Sequence, residues 1–372
     1  MLLQTLLKLM QRLHGNFLNL TCGGAILIEQ STGKILYEHN SHEQLRPASV
    51  TKIMSILLIM EAIDEGRLAY TDKVTCTENA TKMGGSQIWL DVREELTVDE
   101  MLKAICVVSA NDCVVAMAEH LCGSESAFVD KMNEKAKLLG MNDTTFKNCH
   151  GIDEDGHVTS AHDIALMSQE LMAKHPDITK YTTIWMDTLR DGKSQLVNTN
   201  KLIRTYTGTT GLKTGSTSLA LYNLSATATK NDLSLIAVIM KGETSAVRFS
   251  EAQKLLDYGF NNYSYKSFAK AGDVAGVATV EKGLENSLNA VYVADSGSLI
   301  KKGQEKNVIQ DININTTLVA PIAKGEIIGK ATYTLDGEII GTTDIVADRE
   351  IKRISFLNCV THVYGKWFNL AR

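Results

Sequence analysis

The chain has 372 residues, 44% of them hydrophobic and 22% charged, which excludes a disordered or bilayer-spanning protein and allows two domains. A net charge of −5, with Lys and Arg spread along the sequence, leaves no footprint for nucleic acid. Seven cysteines, at 22, 76, 106, 113, 122, 149 and 359, contain no Cys-x-x-Cys pair and read mainly as small buried hydrophobes.

Residues 1–22 come first. Leu2, Leu3, Leu6, Leu7, Leu9, Met10 and Leu13 are interrupted by Gln4, Lys8, Gln11, Arg12 and His14, the pattern of an amphipathic helix or of a residual export signal. Residues 25–29 and 35–38 predict strands joined by a turn at Ser31-Thr32-Gly33-Lys34. The run from Ile53 to Ile63 is apolar on nearly every side, which predicts a buried helix preceded by Pro47 and stopped by Gly66. A helical middle follows. Thr97 and Glu100 form a capping box, Ser124 caps a helix to Leu139, and Ser160 opens another through Met172. Strands return over residues 207–217, 225–229 and 233–240, with a helix from about 245 to 258.

Residues 23–261 are thus predicted as an α+β domain, an antiparallel sheet plus a helical half. Short alternating segments and the hairpin signal Leu335-Asp336-Gly337-Glu338 predict a small all-β domain over 262–350. Residues 351–372 set Phe356, Tyr364, Trp367 and Phe368 among Lys352, Arg353, Lys366 and Arg372. By composition this is either a helix lying in a membrane interface or one docked on its own domain.

The chemistry begins at Ser49 and Lys52, three apart and hence on one helical face. A serine hydroxyl needs a proton acceptor near neutral pH, and lysine serves only if burial or a neighbouring positive charge lowers its pKa. The apolar helix supplies burial, and Lys213 is a candidate for the charge. A helix N-terminus also favours a developing oxyanion. Taken alone, Ser-x-x-Lys reads as a helix cap, Ser109-Ala110-Asn111 as a loop, and Arg248 as a surface charge. The ordered set with Lys213-Thr214-Gly215 changes that weight. His150, His157 and His162 match no zinc spacing, so no metal is expected.

The ordered set resembles the penicillin-binding proteins and serine β-lactamases. Further segments narrow the resemblance: Arg46-Pro47-Ala48-Ser49-Val50-Thr51-Lys52, Gly84-Gly85-Ser86-Gln87, Ser109-Ala110-Asn111-Asp112, Phe146-Lys147-Asn148 with His150-Gly151, Gly211-Leu212-Lys213-Thr214-Gly215 and Leu255-Leu256-Asp257-Tyr258-Gly259-Phe260. Over about residues 23–350 they are similar to the low-molecular-mass D-alanyl-D-alanine carboxypeptidases, the type 5 and 6 penicillin-binding proteins.

The resemblance implies a β-lactamase/transpeptidase-like fold and a cofactor-free hydrolase that removes the terminal D-Ala from peptidoglycan stem peptides through an acyl-enzyme. It implies acylation by β-lactams, a place on the outer face of the cytoplasmic membrane, and a membrane anchor at the C-terminus. It makes Ser49 the nucleophile, Lys52 its base, Ser109 a proton shuttle and Asn111 the holder of the substrate amide. The N–H groups of Ser49 and Ser216 become the oxyanion hole. Lys213, Thr214 and Arg248, with Gly215 in the same strand, receive the terminal carboxylate, and His150 helps to place the deacylating water. One departure stands out: Ala220 is followed by Leu221, where the family more often has Gly. Two other readings compete. A class A-like β-lactamase would carry an extra Glu on a loop before the Lys-Thr-Gly strand, and none is recognisable here. A non-catalytic peptidoglycan-binding protein would have no need of the complete catalytic set.

Overall fold

The computed structural model describes residues 17–355, so the expected N-terminal amphipathic segment up to residue 16 and residues 356–372 of the expected anchor lie outside the described residues. The chain divides into two compact units that part between Asn261 and Asn262.

The first unit opens with strands β1 (Gly24–Glu29) and β2 (Ile35–His39). Their turn is built as its residues predict. Gly33, at φ +71°, donates its N–H to the Glu29 carbonyl, and the Glu29 carboxylate collects the N–H and hydroxyl groups of Ser31 and Thr32. The apolar helix α1 (Lys52–Asp64) is buried along nearly its whole length. It ends in a Schellman motif at Gly66, φ +71°, with Gly66 N–H on Ile63 O and Arg67 N–H on Ala62 O.

Helices α2 (Val98–Val107), α3 (Asn111–Cys122), α4 (Glu125–Leu138) and α5 (Ala161–Lys174) make the helical half. The capping box of Thr97 with Glu100 and the caps at Ser124 and Ser160 start α2, α4 and α5 where the sequence places them. A short hairpin of β3 (Met186–Leu189) and β4 (Ser194–Val197) follows. Strands β5 (Thr209–Thr217), β6 (Leu221–Lys230) and β7 (Leu233–Gly242) then complete an antiparallel five-stranded sheet in the order β2-β1-β7-β6-β5, and α6 (Ser245–Asn262) closes the unit. The nearly continuous apolar run of β7 matches its central place. Among the described residues β5 is an edge strand, bonded only to β6.

β6 starts four residues before its predicted onset. The cause is a tight turn after Thr217, whose Oγ1 accepts the Ala220 N–H at 2.9 Å, with Leu221 at φ +56° re-entering the sheet. That left-handed conformation explains why glycine suits the position: a Cβ there costs roughly 1–2 kcal/mol.

The second unit is all β. Strands β8 (Tyr263–Ala269) and β11 (Ser296–Lys301) pair with each other. Strands β9 (Val274–Glu281), β10 (Ser287–Tyr292), β12 (Ile309–Ile314), β13 (Thr317–Val319), β14 (Ile327–Leu335) and β15 (Glu338–Ala347) form a six-stranded sheet in the order β12-β14-β15-β10-β9-β13. The predicted hairpin is there, with Asp336 and Gly337 both at positive φ, +51° and +87°, as a type I′ turn requires. Among the described residues the cysteines are free thiols, five of them buried, and no helix is long and apolar enough to cross a membrane.

Candidate active site

Ser49 lies in a 3-10 turn, Ala48–Thr51, that runs directly into α1. Ala48 is at φ +49°, a strained setting for a non-glycine residue, and three devices hold it. Asn223 of β6, fully buried, donates from Nδ2 to the carbonyls of Arg46 and Pro47, each at 2.9 Å, and accepts the Lys241 N–H at 2.7 Å. His157 accepts the Lys147 N–H at Nδ1, so its Nε2 carries the proton and donates to Thr51 Oγ1 at 2.8 Å, which in turn donates to Ala48 O at 2.8 Å. Burial pushes the His157 pKa down to about 4, which keeps this tautomer neutral. Gly151, at φ +93°, packs so closely that a Cβ would fall 1.9 Å from Ala48 O.

The edge strand meets the same turn from the other side. A Cβ on Gly215 would lie 2.8 Å from both Ser49 N and Val50 N, so β5 reaches the Ser49 turn only because position 215 has no side chain.

Lys52 is completely buried at the head of α1. Its Nζ is 2.5 Å from Asn111 Oδ1, 2.6 Å from the His150 carbonyl and 3.1 Å from Ser49 Oγ. The Asn111 amide is oriented by Nδ2, which donates to Gly84 O at 2.6 Å, so Oδ1 faces Lys52. Two of the three neighbours of Nζ can therefore only accept. A neutral amine has two hydrogens and one lone pair. The hydrogens go to Asn111 and His150, and the lone pair is left for the Ser49 hydroxyl, which donates to it. Burial first, then the positive charge of Lys213, hold the Lys52 pKa well below the ordinary lysine value and favour this amine.

The remaining residues stand around this pair. Lys213 of β5 is buried, donates to Thr214 O at 2.9 Å, and is brought down to about 7 by burial, with Arg248 adding to the shift against an opposing effect of Cys106. Thr214 Oγ1 is 2.6 Å from Thr199 Oγ1. Arg248 of α6 is no surface charge. It is 7% exposed, its Nη1 bonds the carbonyls of Gly215 and Asn223 at 3.1 and 3.2 Å, and its buried Nε has no partner. Ser109, at φ +65°, is buried with an Oγ that makes no hydrogen bond, a rare state that calls for a reason. Ser216 of β5 is exposed.

Both ring nitrogens of His150 are engaged. Nδ1 accepts the Ile152 N–H at 3.1 Å, Nε2 faces Glu125 Oε1 at 3.4 Å, and burial lowers the pKa to about 3. The group of His150 that reaches Lys52 is its main-chain carbonyl. His162 is bonded to Asp163, and among the described residues no His, Cys, Asp and Glu cluster is placed to hold a metal ion.

Three positioning residues were not assigned from sequence. Asn223 lies two residues before the predicted onset of its strand and carries no signal. Asp112, whose carboxylate binds the N–H groups of Ile88, Leu90 and Cys113, looks like any acidic residue in a first helical turn. His157 looks like any histidine.

A buried lysine amine facing a serine at a helix head, beside the edge of an antiparallel sheet, defines the serine acyl-transfer hydrolases of the β-lactamase/transpeptidase fold. Within that class the chain belongs to the D-alanyl-D-alanine carboxypeptidase family, whose model matches residues 12–244, while the model of the penicillin-binding protein 5 C-terminal domain matches residues 263–353. The chain is 43% identical to D-alanyl-D-alanine carboxypeptidase DacF of Bacillus subtilis over 92% of its own length and 89% of that protein. It is 30% identical to D-alanyl-D-alanine carboxypeptidase DacC of Escherichia coli over 92% and 90%. Among solved structures it is similar to penicillin binding protein 5 from Haemophilus influenzae, with a TM-score of 0.72, 32% identity, and coverage of 90% of this chain and 98% of that one. Penicillin-binding protein D2 from Listeria monocytogenes, in its ampicillin-bound form, matches 65% of this chain and 99% of its own at a TM-score of 0.60 and 30% identity. The family consists of extracytoplasmic cell-wall enzymes.

Proposed function

We infer that this protein is a serine D-alanyl-D-alanine carboxypeptidase that trims peptidoglycan stem peptides through an acyl-enzyme at Ser49, and that β-lactams acylate the same hydroxyl. The observation that carries this reading is the buried Lys52 Nζ, 3.1 Å from Ser49 Oγ and held by two acceptors, Asn111 Oδ1 and the His150 carbonyl. Ser49 Oγ attacks the carbonyl between the two D-alanines as its proton passes to Lys52. The oxyanion is received by the N–H groups of Ser49 and Ser216, a role supported by the tight seat of Gly215 on the nucleophile turn.

Lys52 is then an ammonium made more acidic by Lys213, and it returns the proton through Ser109 to the departing amine of D-alanine. The unpartnered Ser109 hydroxyl supports that relay. Water replaces the amine, and the same groups release the shortened peptide. Asn111 retains one Nδ2 hydrogen for the substrate carbonyl. Lys213, the Thr214 hydroxyl and the unpartnered side of Arg248 receive the terminal carboxylate. His150 acts through its carbonyl by fixing one hydrogen of Lys52. The enzyme is further placed on the outer face of the cytoplasmic membrane, with residues 351–372 as an interfacial anchor, a reading supported by their aromatic and basic composition. Loss of liposome co-sedimentation on truncation after residue 350 is the expected result, and unchanged co-sedimentation would remove the anchor.

The deciding experiment mixes the protein with a β-lactam and with a peptide ending in D-Ala-D-Ala. A long-lived adduct on Ser49 together with D-alanine release is expected. Fast β-lactam hydrolysis would make it a β-lactamase, and no reaction with either would make it a binding protein.

A further inference from the structure

Residues 84–90 grip the N-terminus of α3 in alternation. Gly84 and Ser86 accept from Asn111 Nδ2 and N at 2.6 and 2.7 Å, while Ile88 and Leu90 donate their N–H groups to the Asp112 carboxylate, each at 3.1 Å. Trp89, between the last two, is left 75% exposed at φ +60°, an outlier for a bulky side chain. A second clamp fixes it. Arg190, in the turn between β3 and β4, donates to Ile88 O at 2.8 Å and to Trp89 O at 3.2 Å, and its guanidinium is itself held by Glu94 at 2.6 and 2.8 Å. A buried carboxylate and a paired guanidinium thus hold an indole in the open, on the loop that positions Asn111. The exposure leaves no packing reason for this arrangement, and backbone strain maintained from two sides points to a use.

We propose that Trp89 is a stacking platform for a sugar ring of the glycan to which the stem peptide is attached, so that the enzyme prefers sugar-bearing over bare peptides. The proposal rests on the carboxypeptidase reading. The indole offers a flat apolar face, and Gln87, Asp91 and Arg93 are polar residues of the same loop, none of them buried. A pyranose has the complementary form, an apolar C–H face ringed by hydroxyl groups. An aliphatic chain would require a concave apolar pocket. A nucleobase would bring phosphates toward a protein of net charge −5.

The test compares D-alanine release from one pentapeptide, bare or carrying the N-acetylglucosamine–N-acetylmuramic acid disaccharide, by the full-length protein and its Trp89→Phe and Trp89→Gly forms. Glycine accepts φ +60°, so folding is preserved, and Tm together with the rate of β-lactam acylation verifies it. The expected result is a KM about tenfold lower for the sugar-bearing substrate, largely kept by Phe and lost with Gly, at constant kcat. Equal KM values for the two substrates in the unmodified protein would overturn the proposal. So would a Gly form that weakens both substrates alike, which would make Trp89 a peptide contact. A turnover-independent arm titrates a peptide-free tetrasaccharide of the same sugars and follows tryptophan emission. A change that disappears in Trp89→Phe is expected, and its absence in the unmodified protein would overturn the platform even if the carboxypeptidase reading stood; failure of that reading would appear instead as no D-alanine release from either substrate.

Discussion

At the scale of the residue, the site is set by two buried lysines, Lys52 and Lys213, placed within electrostatic reach of each other. Lys213 repels a proton on Lys52, so Lys213→Gln raises the Lys52 pKa and moves the acid limb of the acylation pH profile upward. Each pH unit of that movement lowers the rate on the limb about tenfold. Burial lowers the Lys213 pKa to about 7, so if Lys213 receives the terminal carboxylate as proposed, the unmodified enzyme is expected to lose carboxylate affinity as pH rises through that value, a limb the variant lacks. Stopped-flow acylation with a chromogenic β-lactam across pH reads the acid limb, and an unmoved limb would remove Lys213 from the account. Gly215→Ala is expected to abolish acylation, because the new methyl meets the main-chain nitrogens of Ser49 and Val50 at 2.8 Å and neither can yield. Leu221→Gly runs the other way. It relieves a left-handed leucine and raises stability by about 1 kcal/mol, read as a higher urea midpoint.

At the scale of the element, the helix ends were legible because caps are local. Thr97 with Glu100, Ser124, Ser160 and Gly66 each satisfy orphan groups within a few residues of themselves. The onset of β6 was not legible, since it depends on Leu221 tolerating a conformation that its side chain disfavours. The grip of α3 on residues 84–90 is likewise a tertiary device, joining Asp112 to N–H groups more than twenty residues earlier. Removing it by Asp112→Ala strands those groups and costs about 2–4 kcal/mol in chemical denaturation, while slowing acylation through a displaced Asn111. A variant of full stability and full rate would contradict this role.

At the scale of the whole molecule, the buried imidazoles of His150 and His157 govern acid stability. Their folded pKa values, about 3 and about 4, lie below the unfolded value of about 6.5, so the unfolded chain binds more protons between those limits. Stability is therefore complete above about 6.5 and falls with pH by about 1.4 kcal/mol per unit for each histidine. Urea midpoints taken from pH 7 downward should show that slope roughly halved in His157→Gln, whatever the absolute loss caused by the broken bond to Thr51. An unchanged slope would mean that the imidazole is already protonated in the fold.

The sequence by itself determined the α+β architecture and the small β domain, through apolar periodicity, caps and turn residues, all of which act over short range. It also supplied the pair Ser49 and Lys52, because the two are only three residues apart, on a 3-10 turn and the first position of the helix it runs into. The tertiary structure alone decided the setting of Lys52, since its two hydrogen acceptors come from Asn111 and His150, far along the chain, and its desolvation comes from packing. It alone decided that Asn223, His157 and Gly151 hold the Ser49 turn, for a buried hydrogen bond between distant segments leaves no local trace.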